Sequence, residues 1–324
     1  MHTTMAFIFS LVFIILRGYN MYKEITLQLN ENCNLNCKYC FAEKSKNFIS
    51  ERDFHIFYSF CLKSSPDCVH ITGGEPMLHP KFYSFISLLG ENYPLVIYSN
   101  FTQRNVINKI KVSCNENLYF LVNINDESIY GADEYSTVLD NIEYAKNNGM
   151  KVALSYTFYK NDYPEVINKL IRLAKEYNIS NLRISQANVA INKEIHLSSS
   201  EVKKLYSYVA NNYEHWERRG VKVYFDCPVR PCDINVEDFI YLREKKAMSV
   251  RCIPKAFVRW NLFVTHCYST ISWINSRHIS EFTDIVDIKE YISERLQKIG
   301  FSEACTKCRL VTHKSYCGCP GIIN

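Results

Sequence analysis

Between Met21 and Gly220 the chain repeats one pattern six times: a short apolar run, then a longer segment with apolar residues at helical spacing. EITLQLN precedes DFHIFYSFCLKS, VHITGG precedes KFYSFISLLGEN, and LVIYSN precedes VINKIKV. LYFLVNIN then leads into TVLDNIEYAKNNG, KVALSYTF into YPEVINKLIRLAKEYN, and NLRISQANV into SSSEVKKLYSYVANNYEHWERRG. Strands separated by whole helices are joined by crossovers, which implies a parallel sheet with right-handed connections. Six units rather than eight predict an α/β fold, a partial (β/α)6 TIM-type barrel open on one side. Ser198 to Ser200 followed by Glu201 has the form of a capped helix start, and Gly149 and Gly220 stand where helices should stop.

After Gly220 the alternation gives way to VYFDCPVRPCDI, rich in proline and cysteine. A boundary is expected near 222–235, separating a core domain at 21–225 from a smaller cysteine-rich C-terminal domain at 226–324. Residues 1–20 contain the apolar run AFIFSLVFIIL at 6–16. As a helix it rises about 16 Å, short of the roughly 30 Å hydrocarbon core of a bilayer. No basic residue precedes the run and no small-residue cleavage site follows it. Met21 comes directly before the first strand, so the expectation is a mis-assigned start codon. A membrane-surface anchor and a helix packed on the domain are the alternatives.

Fourteen cysteines is a high count, but disulfide frameworks belong to short secreted chains. Here eight fall between Cys227 and Cys319 and three more at Cys33, Cys37 and Cys40, a clustering that favours metal or iron–sulfur ligation in a reducing, cytoplasmic setting. Cys61, Cys68 and Cys114 lack partner spacing and read as small buried residues. The triplet, in NCNLNCKYCFAEK, follows the first strand and so falls on the first βα loop, the face where barrel enzymes keep their active sites. The second strand ends in ITGGEP, which puts Gly73, Gly74, Glu75 and Pro76 at the same end. Paired glycines let a ligand approach the backbone closely, and a carboxylate beside them can accept hydrogen bonds from an ammonium group.

A C-x3-C-x2-C loop after the first strand with GGE after the second resembles the radical S-adenosylmethionine (radical SAM) superfamily, over about Thr26 to Val189. The resemblance implies a [4Fe–4S] cluster on Cys33, Cys37 and Cys40. It leaves one iron open to the amine and carboxylate of S-adenosylmethionine. Reductive cleavage of that cofactor yields a 5′-deoxyadenosyl radical, which abstracts a hydrogen atom while the protein orients and shields it. Position by position, Tyr39 matches the aromatic beside the adenine and Glu75 the carboxylate near the methionyl ammonium. Asn123 takes a place where relatives often carry Ser, and Asn125 one where many carry Asp. Ser99 and Asn100 end the third strand and are expected to line the cavity. Relatives with a cysteine-rich extension often have an arginine soon after the fourth strand, but Asp126 to Thr137 contains none. Arg183 either supplies that charge or forms an ordinary ion pair.

Cys252 and Cys267, with fourteen residues between them, and the pair Cys305 and Cys308 resemble the SPASM and twitch extensions of the same superfamily. The expectation is one auxiliary [4Fe–4S] cluster on these four. A second, irregular one would draw on Cys232, Cys317 and Cys319, and C-x2-C is also a zinc spacing. His79 and His266 are candidates for a hydrogen bond that tunes a cluster, whereas His55 and His70 read as packing or surface residues. Such relatives commonly modify peptides or proteins, and some with a single auxiliary cluster act on small molecules. A peptide or protein substrate is expected, with a small molecule as the alternative and a non-enzymatic electron carrier as a remote third. A flavodoxin- or ferredoxin-type electron donor is implied.

Only residues 21–32 lie between Met21 and the first cysteine. A peptide would therefore need a separate recognition protein or direct docking. The formal charge is +5, and Arg218 to Arg259 carries ten basic against five acidic residues. That stretch is either a solvated face or a dock for an acidic peptide or an acidic electron-transfer protein. No nucleic-acid partner is expected, since no such motif is present and the pI of 8.4 is moderate.

Overall fold

The computed structural model describes residues 23–40, 42, 44–110, 117–131, 133–187, 195–229, 231–249, 253–267 and 276–296. The leader at 1–20 and Cys114 lie outside them. All six expected βα units form: β1 (Glu24–Gln28) and α1 (Glu51–Ser64), β2 (Cys68–Thr72) and α2 (Phe82–Gly90), β3 (Leu95–Ser99) and α3 (Arg104–Ile110). Then come β4 (Leu118–Asn123) and α4 (Glu134–Asn147), β5 (Lys151–Phe158) and α5 (Tyr163–Glu176), β6 (Asn181–Gln186) and α6 (Ser199–Arg218). Neighbours from β1 to β6 pair in parallel and in sequence order, which makes the molecule a partial TIM-type barrel.

The helix ends follow local chemistry. Ser198 accepts a hydrogen bond from the Glu201 amide while the Glu201 side chain accepts one from the Ser198 backbone N–H, the capping box of α6. Gly149 and Gly220, at φ +75° and +85°, leave α4 and α6 in the left-handed region that closes a helix. Alternate strand residues such as Ile25, Leu27, Val69, Ile71, Leu154 and Ile184 are buried against the helices. Phe54 of α1 stacks on Phe85 of α2 with ring centroids 3.7 Å apart, and Tyr206 of α6 stacks on Phe225 at 3.8 Å. Cys61 and Cys68 are buried in this packing.

The sheet runs on without a break past the expected boundary. A seventh strand, β7 (Lys222–Phe225), pairs in parallel with β6. After α7 (Val236–Glu244) the chain returns to the opposite edge, where β8 (Ala256–Val258) pairs in parallel with β1. It is followed by the antiparallel β9 (Phe263–Thr265) and β10 (Arg277–His278), and by α8 (Ile285–Leu296). Two- and three-residue strands are too short to show periodicity, so the sequence pattern broke where the sheet did not. Covering β1 also satisfies backbone groups that would otherwise form an open edge.

Removing the α6 cap should cost about 1 kcal/mol. Urea unfolding of Ser198→Ala is expected to show a lowered midpoint with unchanged slope, and an unchanged midpoint would count against the cap.

Candidate active site

The C-terminal ends of β1, β2 and β3 converge on one constellation. Gly74 N–H donates to the Asn30 carbonyl at 2.9 Å and Glu75 N–H to the Asn32 carbonyl at 2.7 Å, so the second loop is hydrogen-bonded to the chain entering the first. Asn30 reinforces the join, its Nδ2 donating to the Glu75 carbonyl at 2.9 Å and its Oδ1 accepting from Gly74 N–H at 3.2 Å. A Cβ on Gly74 would lie 2.3 Å from the Asn32 carbonyl oxygen, and one on Gly73 would lie 2.6 Å from Asn30 Oδ1. The paired glycines thus admit the chain entering the cysteine loop, Asn30 beside Gly73 and the Asn32 backbone beside Gly74. Pro76 is buried at the start of a short 3-10 turn, Pro76–Leu78.

Glu75 is fully buried. Its Oε1 accepts from Ser99 Oγ at 2.9 Å and Met77 N–H at 3.1 Å, and its Oε2 from Asn100 N–H at 2.7 Å. A carboxylate has about four acceptor positions, so one on Oε2 is left. No Lys or Arg among the described residues forms an ion pair with it. Burial pushes its pKa up to about 7, against the three hydrogen bonds that favour the charged form. Asn100 also donates from Nδ2 to Asn34 Oδ1 at 3.0 Å, tying the third loop to the cysteine loop.

Cys33 and Cys37 are half-buried and Cys40 is exposed. Burial, then the neighbouring Cys40 and Cys33, push the Cys37 thiol up to about 11, and burial raises Cys33 as well. Among the described residues no three His, Cys, Asp or Glu converge as a single metal ion would require. A cubane asks for something different, one thiolate on each of three separate iron corners. Tyr39 is anchored through its hydroxyl, which donates to Asn125 Oδ1 and accepts from Asn123 Nδ2 at 2.8 Å. Tyr130 stands behind, its hydroxyl accepting from the Asn125 backbone N–H at 3.1 Å.

Cys33, Cys37, Cys40, Tyr39, Gly73, Gly74, Glu75, Pro76, Ser99, Asn100, Asn123 and Asn125 therefore gather at one end of the sheet. Tyr130 and Asn30 were not singled out from sequence, because an aromatic or an asparagine in a loop carries no spacing signal. Arg183 forms an ion pair, though a largely covered one rather than the ordinary surface pair weighed from sequence. Its Nη1 lies 3.3 Å from Asp226 Oδ1 and its Nε donates to Ser155 Oγ at 3.0 Å. His79 has both ring nitrogens engaged with backbone, at Ile49 O and Lys81 N–H, which makes it a structural residue. The basic stretch is partly spoken for: Arg218 and Lys245 pair with Glu214, Lys245 also with Glu217, and Arg259 with Glu31.

Of the C-terminal candidates, Cys267 is half-buried just after β9 and Cys232 is exposed in the turn Pro231–Asp233. Cys252, Cys305, Cys308, Cys317 and Cys319 lie outside the described residues.

The Radical SAM superfamily model matches residues 27–174. This stretch is a radical SAM domain. Curated relatives include a protein of Sulfurimonas denitrificans named GTP 3′,8-cyclase, 22% identical over 59% of this chain and 63% of its own length. A Listeria monocytogenes protein of the same name is 26% identical over 48% and 51%. The chain thus spans less than two thirds of these relatives. Among solved structures, Streptococcus suis SuiB bound to S-adenosylmethionine superposes with a TM-score of 0.69 at 15% identity, covering 90% of this chain and 72% of that one. The protein anSMEcpe with AdoMet and the Kp18Cys peptide gives 0.67 at 16%, covering 91% and 88%. These likenesses establish a shared fold.

The radical SAM domain implies a [4Fe–4S] cluster and S-adenosylmethionine, and the residues fit both. Thiolates are the donors such clusters use, and bound iron offsets the charge that burial and mutual repulsion resist on Cys33 and Cys37. An ammonium group would supply the cation that buried Glu75 lacks among the described residues.

In Gly74→Ala the two loops must separate, and the reconstituted protein should lose about four irons per chain, one cubane. Gly90→Ala, whose Cβ meets only Leu95 Cδ1 at 3.6 Å, should keep them. Equal iron in both variants would refute the interlock.

The unfolded value for Glu75 is 4.5 and the folded value about 7. In that window the ligand-free native state holds a proton that the unfolded chain has released. Its stability therefore falls as pH rises from 4.5 to 7 and is level above. An ammonium ligand needs the carboxylate, so S-adenosylmethionine should bind more tightly at about pH 8 than at about pH 6. Glu75→Gln should abolish that difference in equilibrium dialysis, and a parent affinity flat across the range would refute the assignment.

Proposed function

We propose that the chain is a radical SAM enzyme acting on a peptide or protein. The observation that carries the enzyme reading is the interlocked pair of loops, three cysteines against a buried carboxylate with no cation of its own. When bound, the cluster and S-adenosylmethionine supply a 5′-deoxyadenosyl radical that takes a hydrogen atom from substrate. The chain's residues hold and shelter them: Glu75 receives the ammonium, Tyr39 flanks the adenine from its anchor on Asn123 and Asn125, and Ser99 and Asn100 keep Glu75 aimed.

The peptide reading is supported by folds shared over 90% of this chain with SuiB, also solved with its precursor peptide SuiA, and 91% with anSMEcpe holding a peptide. The named activity of the curated relatives favours a second reading, a small molecule such as GTP.

The β8–β9 hairpin supports an auxiliary cluster. Cys267 follows its second strand, just beyond Thr265. We place one auxiliary [4Fe–4S] cluster on Cys252, Cys267, Cys305 and Cys308. A flavodoxin- or ferredoxin-type donor in a reducing cytoplasm fits this chemistry.

Anaerobically reconstituted protein with dithionite and S-adenosylmethionine should form 5′-deoxyadenosine, whereas Cys40→Ala should form none. Equal yields, or none from a parent whose cluster is filled, would overturn the enzyme reading. About eight irons per chain are expected, against about four if the auxiliary cluster is absent. Peptides encoded beside the gene should change mass on incubation, and conversion of added GTP to a new product would replace the peptide reading with the small-molecule one.

A further inference from the structure

The cysteine loop has a neck. The Asn30–Phe48 bridge is antiparallel, Glu31 N–H donates to the Asn47 carbonyl at 2.9 Å, and Ile49 N–H donates to the Leu29 carbonyl at 2.8 Å. The buried Glu31 side chain lies across this neck, its Oε2 accepting from Ser45 Oγ at 2.8 Å and Asn47 Nδ2 at 3.1 Å. Its Oε1 accepts from Arg259 Nη2 at 2.9 Å, from a residue 228 positions further along the chain.

The sheet explains how Arg259 arrives there. Val258 of β8 is in register with Leu27 of β1, so the next residue emerges beside the start of the neck. The hairpin turn holds its backbone, with Arg259 N–H donating to the Phe263 carbonyl at 2.9 Å and Leu262 N–H to the Arg259 carbonyl at 2.8 Å.

We infer that Arg259 is a positioning residue, which holds the cysteine loop closed through Glu31 and so makes the C-terminal hairpin a brace on the cofactor site. The inference rests on the reading that this loop carries the cluster. Among the described residues of the radical SAM stretch, 27–174, no Lys or Arg pairs with Glu31, so the contact comes from a segment outside it. The base of the same hairpin carries Cys267, which gives the two cysteine regions a direct mechanical connection.

The test uses the full reconstituted chain with Arg259→Gln, Arg259→Lys, Glu31→Gln and the double variant Glu31→Gln/Arg259→Gln. Hydrogen exchange across 31–49 should quicken at least about tenfold in Arg259→Gln, the scale expected when one partner of a buried charge pair is lost. Exchange in α5 should not change. Iron loss to a chelator should be faster, and the change that S-adenosylmethionine causes in the reduced cluster's electron paramagnetic resonance signal should weaken. Lysine should restore part of this, since it keeps the charge without the planar fork. The double variant should be no worse than the more severe single one, because both remove one interaction. Unchanged exchange in Arg259→Gln, or single effects that add in full, would overturn the inference. If Arg259→Gln does not fold, Arg259→Lys and Glu31→Gln carry the same comparison. A parent chain without iron at the triplet would sink the cluster reading alone, because the exchange measurement still decides the brace.

Discussion

Two hydrogen bonds between consecutive βα loops, Gly74 to Asn30 and Glu75 to Asn32, are the join on which the rest of the site depends. Parallel strands lie about 4.8 Å apart, so the loops leaving β1 and β2 start as neighbours. They can share backbone hydrogen bonds only if nothing projects between them, and at Gly73 and Gly74 nothing does. That contact fixes the cysteines relative to Glu75 before any cofactor arrives. Ser99 and Asn100 then extend the same lattice to the third strand.

Three inward carboxylates show how charge is distributed around this framework. Glu31 is matched by Arg259 and Asp226 by Arg183, and both are held below the ordinary carboxylate range despite burial. Glu75 has hydrogen bonds but no cation among the described residues, and burial raises it instead. A buried carboxylate is tolerated when an opposite charge compensates it, which is the contrast behind the proposed role of Glu75 toward a cationic ligand.

The C-terminal segment does two jobs at the edge of the sheet. It covers β1, which would otherwise present an open edge, and it delivers Arg259 to the neck of the cysteine loop. The core therefore does not end where its sequence pattern ends. A short hairpin far along the chain completes both its sheet and its cofactor loop.

Long, strongly periodic segments were legible from residues alone, because helical and strand spacing is a local property. All six units, the α6 cap and the helix-ending glycines at 149 and 220 are of this kind. The cysteine triplet and GGEP were legible for the same reason, since each is a contiguous motif placed by the strand before it. Strands β7 to β10 were not, being two to four residues long, and the whole hairpin is joined to the sheet through β1, at the far end of the chain. Nor were Tyr130, Asn30 and the Glu31–Arg259 pair, whose roles arise from contacts that no local spacing encodes. The sequence by itself determined the repeating units, the end of the sheet that carries the chemistry and the donors placed there. Only the tertiary structure decided what the glycines make room for, which carboxylate goes without a cation and which distant arginine closes the loop. Those are matters of which backbones and charges meet in space.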